Sequence, residues 1–274
     1  MPTIPSGPYA AVLGSPIEHS LSPTLHRAAY RVLGLDWSYE KFEVSEAGLS
    51  KFLDSLNGNC RGLSLTMPLK DSAYSVATFR DEAAVQTRAC NTLLKHEGVW
   101  HGFNTDVQGF VTAFERGGVT SLDGAIVLGA GATARSALAA LLRLGVRNVD
   151  VVARRSGQVL ELAELFPEVA IRARTFGDEL DEHPVLVSTL PANAADDVVL
   201  PPTVELVFDV VYAPWPTQLA RSAQGRQVLG GLDLLVGQAV EQVLLMTMAG
   251  EKHRAEIFEA MYSAGLAEQV RRSA

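Results

Sequence analysis

Short apolar runs alternate with amphipathic stretches along almost the whole chain. Runs of this length predict strands, and the longer stretches with a helical repeat predict helices. Such alternation is typical of an α/β protein with a mostly parallel sheet. The predicted strands are 9–13, 37–44, 60–65, 91–95, 98–102, 125–128, 149–152, 185–188 and 205–210. The predicted helices are 22–33, 46–56, 106–116, a helix running from the 129–134 segment through 144, 233–248 and 254–267.

One predicted strand, 60–65, stops just before a proline and is followed by a lysine. Pro68 cannot continue a hydrogen-bonded ladder, so Thr66 and Lys70 should lie at the end of this strand. Strand ends in α/β folds are where ligands bind. A lysine there, brought together with Asp106, could form a proton-transfer pair. Taken alone, each residue has a plainer interpretation: Lys70 as a solvated lysine at a helix start, and Asp106 as a helix N-cap.

A glycine-rich segment lies directly between the predicted strand 125–128 and the following helix. This context, with its G-x-G-x-x-A pattern, predicts a dinucleotide site in which backbone amides face a pyrophosphate. After the next strand the chain carries Arg154 and Arg155 where an NAD site usually has an acidic residue. Two guanidinium groups can bind a 2′-phosphate, so NADP is favoured over NAD. The residues of the segment are Gly129, Ala130, Gly131, Ala132, Thr133 and Ala134.

Composition narrows the class of protein. The chain has 274 residues, a length typical of about two domains. Its net charge of -8 argues against nucleic acid or an anionic membrane as a partner.

The apolar segment 232–249 contains Asp233 and Glu241, so a membrane span is not expected. Two cysteines are too few for a disulfide framework, and no secretory signal is expected, which predicts a reduced, cytoplasmic protein. The histidine spacing matches no metal site, so no metal is predicted.

Ser20 and Ser22 precede a predicted helix that has Pro23 at its first position, and two hydroxyls beside helix amides suit a carboxylate. The alternative is that both serines only cap the helix, with Ser22 as the N-cap.

When these motifs are taken together, the chain resembles the shikimate dehydrogenase family. The matching blocks, in the family's order and at its spacing, are 14–23, 64–70, 91–92, 104–106, 129–132, 209–217 and 231–238.

The resemblance implies reversible reduction of 3-dehydroshikimate to shikimate by NADPH. It also implies a substrate domain, 1–103 completed by the C-terminal helices 233–274, and a Rossmann domain, 104–232, with the active site in the cleft. Lys70 and Asp106 would be the catalytic pair. The other implied substrate contacts are Ser20 and Ser22 to the carboxylate, Thr66, Asn91 and Gln238 to ring hydroxyls, and Tyr212 in the pocket. The other implied cofactor contacts are Arg154 and Arg155 at the 2′-phosphate, Ser188 and Thr189 in a flanking loop, and Gly231 and Leu234 near the nicotinamide.

Two other functions stay open. One is an NAD-dependent quinate or quinate/shikimate dehydrogenase, which would share the serines and the Lys70–Asp106 pair. The other is a non-catalytic metabolite sensor of the same fold, against which the intact catalytic pair argues. Ser64 departs from the family by standing where many members have asparagine. The oligomeric state is open as well, with a homodimer as one alternative.

Overall fold

The computed structural model describes residues 4–273. They form two compact units. The first unit contains residues 4–105 and Val236–Arg272, and the second contains Asp106–Leu235. The helices are α1 (Ser22–Val32), α2 (Leu49–Asp54), α3 (Lys70–Val76), α4 (Glu82–Thr87), α5 (Thr105–Arg116), α6 (Ala132–Arg143), α7 (Ser156–Leu165), α8 (Gln218–Ser222), α9 (Gly231–Thr247) and α10 (Arg254–Ser273).

The first unit is built on a six-stranded mixed sheet with the order β2-β1-β3-β5-β6-β4. Strands β1, β2 and β3 run parallel, whereas β5 pairs antiparallel with both β3 and β6. The ends of β1, β3 and β6 and the start of β5 therefore lie at the same edge of the sheet. The strands are β1 (Tyr9–Gly14), β2 (Ser38–Glu43), β3 (Cys60–Leu65), β4 (Phe79–Arg80), β5 (Thr92–His96) and β6 (Val99–Phe103).

The second unit has a six-stranded sheet in the order β12-β11-β10-β7-β8-β9, with every neighbouring pair parallel. Counted within this unit the order is 3-2-1-4-5-6, which is the Rossmann arrangement. The strand order reverses between β7 and β10, so a ligand crevice is expected at the carboxyl ends of those two strands. The strands are β7 (Ala125–Leu128), β8 (Asn148–Val152), β9 (Ala170–Arg174), β10 (Val185–Ser188), β11 (Leu206–Asp209) and β12 (Gln227–Gly230).

The predicted α/β class and the predicted strands are confirmed, including the hairpin of β5 and β6. The sequence pattern did not predict α3, α4, α7, α8, β4, β9 or β12. Most of these elements are short, and β9 is an edge strand with alternating arginines. The helix predicted over 46–56 is a 3-10 turn, Glu46–Gly48, followed by α2. The last helix continues to Ser273 instead of ending at 267, because Glu268 pairs with Arg271 and Arg272 within the helix.

No helix among residues 4–273 combines the length and the apolar character needed to cross a bilayer.

A histidine on α1 is entirely enclosed in the first unit. His26 has no exposed surface, and its ring stacks on Tyr39 with a centroid separation of 4.0 Å. Its Nδ1 lies 2.9 Å from the carbonyl oxygen of Ser22. Its Nε2 has no hydrogen-bond partner in the part of the chain that the structure describes. Burial therefore lowers the pKa of His26 to about 4.

This histidine should make the fold sensitive to acid. The pKa of an unfolded histidine is about 6.5. As the pH falls from about 6.5 towards about 4, the histidine binds a proton in the unfolded chain but not in the folded chain. Stability should therefore be lost in this window, by about 2–3 kcal/mol at its lower end. Urea unfolding at pH 7 and pH 4.5 checks this against His26→Gln, which cannot titrate. The wild type should lose more stability than the variant; an equal loss in both would contradict the prediction.

Candidate active site

The predicted carboxylate loop packs directly against the end of β3. A Cβ at Gly14 would lie 2.5 Å from Thr66 Cγ2 and 2.9 Å from the carbonyl oxygen of Met67, so only glycine permits this approach. Two backbone hydrogen bonds hold the contact, from Thr66 N to Leu13 O at 2.9 Å and from Ser15 N to Met67 O at 3.0 Å. The structure thus brings Thr66 beside the loop that leads to the two predicted serines.

The predicted N-cap role of Ser22 is wrong. The N-cap of α1 is Leu21, which already has a helical backbone, and Ser22 is the first helical residue. The side chain of Ser20 instead accepts a hydrogen bond from the backbone N–H of Ser22 at 3.3 Å. Because its oxygen accepts this bond, the Ser20 hydroxyl keeps its hydrogen for another acceptor. Ser20 is half-buried and Ser22 is buried.

Lys70 is the first residue of α3, which begins where Pro68 has ended the strand. Its side chain is half-buried, and its carbonyl oxygen accepts from the backbone N–H of Cys90 at 2.9 Å. That bond fixes the start of α3 next to Asn91, at the beginning of β5. The strand-end position predicted for Thr66 and Lys70 is confirmed.

Three predicted or neighbouring side chains form a buried polar cluster at this edge. Asn91 Nδ2 donates to Thr105 Oγ1 at 2.9 Å and to Gln238 Oε1 at 3.3 Å. Asn91 Oδ1 accepts from the backbone N–H of Thr105 at 2.9 Å. The structure therefore joins Asn91 to Gln238, which is 147 positions away in the chain.

The residues preceding Asp106 are held by the same unit. The backbone N–H of Asn104 donates to Asp81 Oδ1 at 3.2 Å, and Asn104 Nδ2 donates to Thr87 Oγ1 at 2.7 Å. Asp106 follows Thr105 directly and lies in the first turn of α5, with 6% of its surface exposed. It is inside the helix, so the interpretation as an N-cap is wrong. A carboxylate in the first turn is stabilised by the helix dipole.

In the second unit the glycine-rich segment forms the turn from β7 into α6. Gly129 has φ +104°, and a Cβ there would lie 2.5 Å from Thr189 Oγ1. Thr189 lies just after β10. Its backbone N–H and its hydroxyl both donate hydrogen bonds to the carbonyl oxygen of Leu128, at 2.9 Å and 2.8 Å. Gly131 is the N-cap of α6 and has no side chain to cover the helix end. The structure thus joins the predicted residues Gly129 and Thr189 at the switch between β7 and β10.

A cavity of about 760 Å³ lies beside this turn, at the carboxyl ends of β7, β8 and β9. Its lining includes Leu128, Arg154, Phe176 and Leu190. Arg154 lines the cavity, whereas Arg155 Nε donates to Gln158 Oε1 at 3.2 Å on the surface. The two arginines, equivalent by sequence, thus differ in surroundings.

The remaining predicted cofactor and pocket residues lie elsewhere in the second unit. Ser188 is the buried last residue of β10. Tyr212 is half-buried in the segment after β11, and the neighbouring Val211 accepts through its carbonyl oxygen from Gly231 N at 3.3 Å. Gly231 and Leu234 lie in the first turn of α9. The bond between Val211 and Gly231 places the Tyr212 segment beside the start of this helix.

Asp150, Asp181 and His183 each have a side-chain N or O atom within 4.8 Å of those of the other two, close enough to share a metal ion. Both carboxylates already carry guanidinium partners. Arg174 donates to Asp150 at 3.2 Å and to Asp181 at 2.7 Å, and Arg172 pairs with Asp181 as well. The group is therefore an ion-pair network that ties β8 and β9 to the segment after them. The prediction that no metal is bound stays a prediction.

Sequence reasoning did not identify several polar residues behind the Asn91 cluster. Tyr39, Thr92 and Gln242 are buried there and connected to it by hydrogen bonds. One signal was available: Gln242 lies four residues after Gln238, and that spacing places two side chains on one face of a helix.

Comparisons with known proteins match the chain over most of its length. Residues 12–93 match the family model for the shikimate dehydrogenase substrate binding domain. A shikimate dehydrogenase (NADP(+)) from Mesorhizobium japonicum is 36% identical over 245 residues, covering 84% of this chain and 87% of that protein. The chain belongs to the shikimate dehydrogenase family. This membership confirms the resemblance that the seven blocks indicated.

Solved structures of the family share the whole fold. The Mycobacterium tuberculosis shikimate dehydrogenase is 36% identical and superposes with a TM-score of 0.83, covering 95% of this chain and 99% of that one. The Thermus thermophilus shikimate 5-dehydrogenase, solved in complex with NADP(H) and shikimate, is 32% identical with a TM-score of 0.81. That match covers 94% of this chain and 99% of the other.

Proposed function

We propose that this chain catalyses the reversible, NADPH-dependent reduction of 3-dehydroshikimate to shikimate. It is an oxidoreductase acting on a CH–OH group, and its substrate is a small molecule. The observation that carries the proposal is the similarity, over 94% of the chain, to a structure holding both NADP(H) and shikimate. The first unit would bind the substrate and the second the cofactor, which corresponds to the predicted domains 1–103 with 233–274 and 104–232.

The loop after β1 supplies donors for the substrate carboxylate. The Ser20 oxygen accepts from the Ser22 N–H, so its O–H hydrogen can be donated to a carboxylate oxygen. Ser22 begins α1, where the helix dipole also favours negative charge. Thr66, Asn91 and Gln238 would hydrogen-bond the ring hydroxyls.

Lys70 and Asp106 would act at the reacting oxygen. When bound, NADPH supplies the hydride for the carbonyl carbon. The Lys70 ammonium would stabilise the negative charge that develops on the carbonyl oxygen. Asp106 would hold the same oxygen and the lysine in position. Either of the two could donate the proton to this oxygen.

The cofactor would lie on the carboxyl edge of the second sheet. The fit rests on the protein's own residues: Gly131 is exposed, and a Cβ there would meet no atom within 4 Å, so backbone amides can approach a pyrophosphate. The cavity beside Arg154 would take the adenosine end, with the guanidinium at the 2′-phosphate. Tyr212 would line the substrate pocket, and Gly231 and Leu234 would lie near the nicotinamide.

Cofactor preference should depend on Arg154 more than on Arg155. We expect kcat/KM for NADP⁺ to exceed that for NAD⁺ by at least about tenfold, because only NADP⁺ carries the phosphate that arginine binds. Arg154→Ala should remove most of this preference. Arg155→Ala is the matched control, because its guanidinium donates to Gln158 and should change the ratio less. A wild-type preference for NAD⁺ would contradict the prediction.

The decisive assay measures turnover of shikimate and of quinate with both NADP⁺ and NAD⁺. Fast turnover of quinate with NAD⁺ would favour the quinate/shikimate dehydrogenase. Shikimate binding without turnover with either cofactor would favour the metabolite sensor. A cytoplasmic location is proposed as well, because the two cysteines, Cys60 and Cys90, are both free thiols, as expected in a reducing compartment. A homodimer is an alternative that sedimentation would test.

A further inference from the structure

A row of buried hydrogen-bonding side chains runs from β2 to the predicted substrate amides. Tyr39 Oη donates to Ser64 Oγ at 2.6 Å, and Ser64 Oγ donates to Gln242 Oε1 at 2.7 Å. Gln242 Nε2 then donates to Thr92 Oγ1 at 3.0 Å, and Thr92 Oγ1 donates to Asn91 Oδ1 at 2.9 Å. All five residues are at most 4% exposed. Water can therefore do little to compensate for a broken bond in this row.

Two backbone groups determine the direction of every bond in the row. The N–H of Thr105 can only donate, so the Asn91 atom facing it at 2.9 Å must be Oδ1. The carbonyl oxygen of Asn91 can only accept, so the Gln242 atom facing it at 3.3 Å must be Nε2. With Nε2 on that side, Gln242 Oε1 faces Ser64, whose hydroxyl must donate to it. Thr92 accepts from Gln242 and so turns its own hydrogen to Asn91.

The orientation of Asn91 in turn decides how Gln238 is oriented. Because Asn91 Oδ1 is held by two donors, its Nδ2 faces Gln238 and donates to Oε1 at 3.3 Å. The Gln238 carboxamide then presents its Nε2 donor on the side away from Asn91. Gln238 and Gln242 lie one turn apart on the same helix, α9, so the two amides are set by one rigid element.

We propose that Gln242 is a positioning residue. Its bonds to the Asn91 carbonyl oxygen and to Thr92 hold the Asn91 carboxamide in the orientation that the Thr105 N–H requires, and Asn91 in turn orients Gln238. Gln238 would then direct its Nε2 donor to a substrate oxygen, which would accept the hydrogen bond. The proposal rests on the proposed function, since it concerns how the same site recognises its ring hydroxyls. Tyr39 supports the same row, because its hydroxyl donates a second hydrogen bond to the side chain of Ser64.

The test compares Gln242→Met with wild type and with Gln218→Glu, an exposed control on α8. Methionine keeps the volume and the unbranched shape of glutamine but neither donates nor accepts as an amide does. We expect KM for shikimate to rise by at least about tenfold, with KM for NADP⁺ unchanged and kcat within about twofold. A general loss of structure would instead move both KM values and the melting temperature together.

A second variant, Thr92→Val, removes the other link of the row while keeping the side-chain shape. It should raise KM for shikimate similarly, and Gln242→Met with Thr92→Val should be no worse than either alone, because both break one row. Analogues lacking one ring hydroxyl give a further readout. Wild type should reject the analogue that lacks the Gln238 partner, and Gln242→Met should discriminate less.

The outcomes separate the two proposals. Wild-type protein without NADP⁺-linked shikimate turnover contradicts the proposed function, and the positioning role with it. Normal wild-type turnover, with folded Gln242→Met and Thr92→Val both keeping the wild-type KM for shikimate, contradicts the positioning role alone. Strictly additive effects of the two substitutions would contradict it as well.

Discussion

Lys70→Ala is expected to lower kcat for shikimate oxidation by about 10²–10⁴-fold, which is the usual contribution of a positioned acid or base. KM for shikimate should change little, because the contacts to its carboxylate and to its other hydroxyls are predicted to come from other residues. The reason lies in the position of Lys70 at the start of α3, where Pro68 has ended the strand and Cys90 anchors the backbone. Steady-state kinetics at saturating NADP⁺ measure the effect.

Two further lysine variants separate proton transfer from charge stabilisation and provide a control. Lys70→Arg keeps the positive charge, but an arginine does not release a proton at any working pH. If Lys70 transfers the proton, Lys70→Arg should stay far below wild type; if it only stabilises charge, Lys70→Arg should recover much of kcat. Lys51→Ala, at an exposed position on α2, should have wild-type activity. Near-normal turnover of Lys70→Ala would rule out the catalytic assignment.

The second large effect is expected at Gly131. Alanine fits the backbone of this N-cap, which has φ -88°, and its Cβ would meet no atom within 4 Å. The folded protein should therefore keep its stability to within about 0.5 kcal/mol. The added methyl group would nevertheless stand where the pyrophosphate is expected to approach the helix start. We expect Gly131→Ala to raise KM for NADP⁺ by at least about tenfold, measured beside KM for shikimate.

Gly129→Ala is the matched comparison, because the same substitution meets a different obstacle two residues earlier. The backbone of Gly129 has φ +104°, and the new Cβ would lie 2.5 Å from Thr189 Oγ1. This variant should be destabilised by about 1–3 kcal/mol even without cofactor. Thermal unfolding of the two unliganded variants distinguishes the roles. Normal NADP⁺ binding by Gly131→Ala would contradict the assignment of the pyrophosphate to this turn.

Hydrogen bonds from other parts of the chain hold several of the predicted site residues in place. In the first unit, Asn91 is held by Thr92, Thr105 and Gln238, which come from a strand, a helix start and the C-terminal part of the chain. In the second, Thr189 holds the end of β7 next to Gly129. Side chains fixed in this way lose little further freedom when a ligand binds, which favours affinity.

Much of the fold followed from local properties of the sequence. Short, mainly apolar runs predicted the central strands of the second sheet, because a strand covered on both faces needs few polar positions. Pro68 marked the end of β3, and the glycine pattern marked the turn into α6. These signals are readable because each depends on the chemistry of one residue or on a repeat of a few residues.

Tertiary structure decided what the local signals left open. The sequence suggested Ser22 as the N-cap of α1, but Ser22 is the first residue of that helix. The Ser20 side chain instead accepts a hydrogen bond from the Ser22 N–H. Arg154 and Arg155 were equivalent in sequence, but only the packing around β8 and β9 placed Arg154 in the cavity lining and left Arg155 with Gln158.

The orientation of the predicted substrate amides, Asn91 and Gln238, shows the same difference between local signals and tertiary structure. The family resemblance implied Asn91 and Gln238, but no local pattern pairs Ser64 with Gln242, 178 positions later. Whether two such groups meet depends on strand register and on the rotation of α9, which the packing of the whole first unit determines. The sequence by itself thus specified the chemical groups of the predicted site, and the tertiary structure decided how the amides among them are oriented.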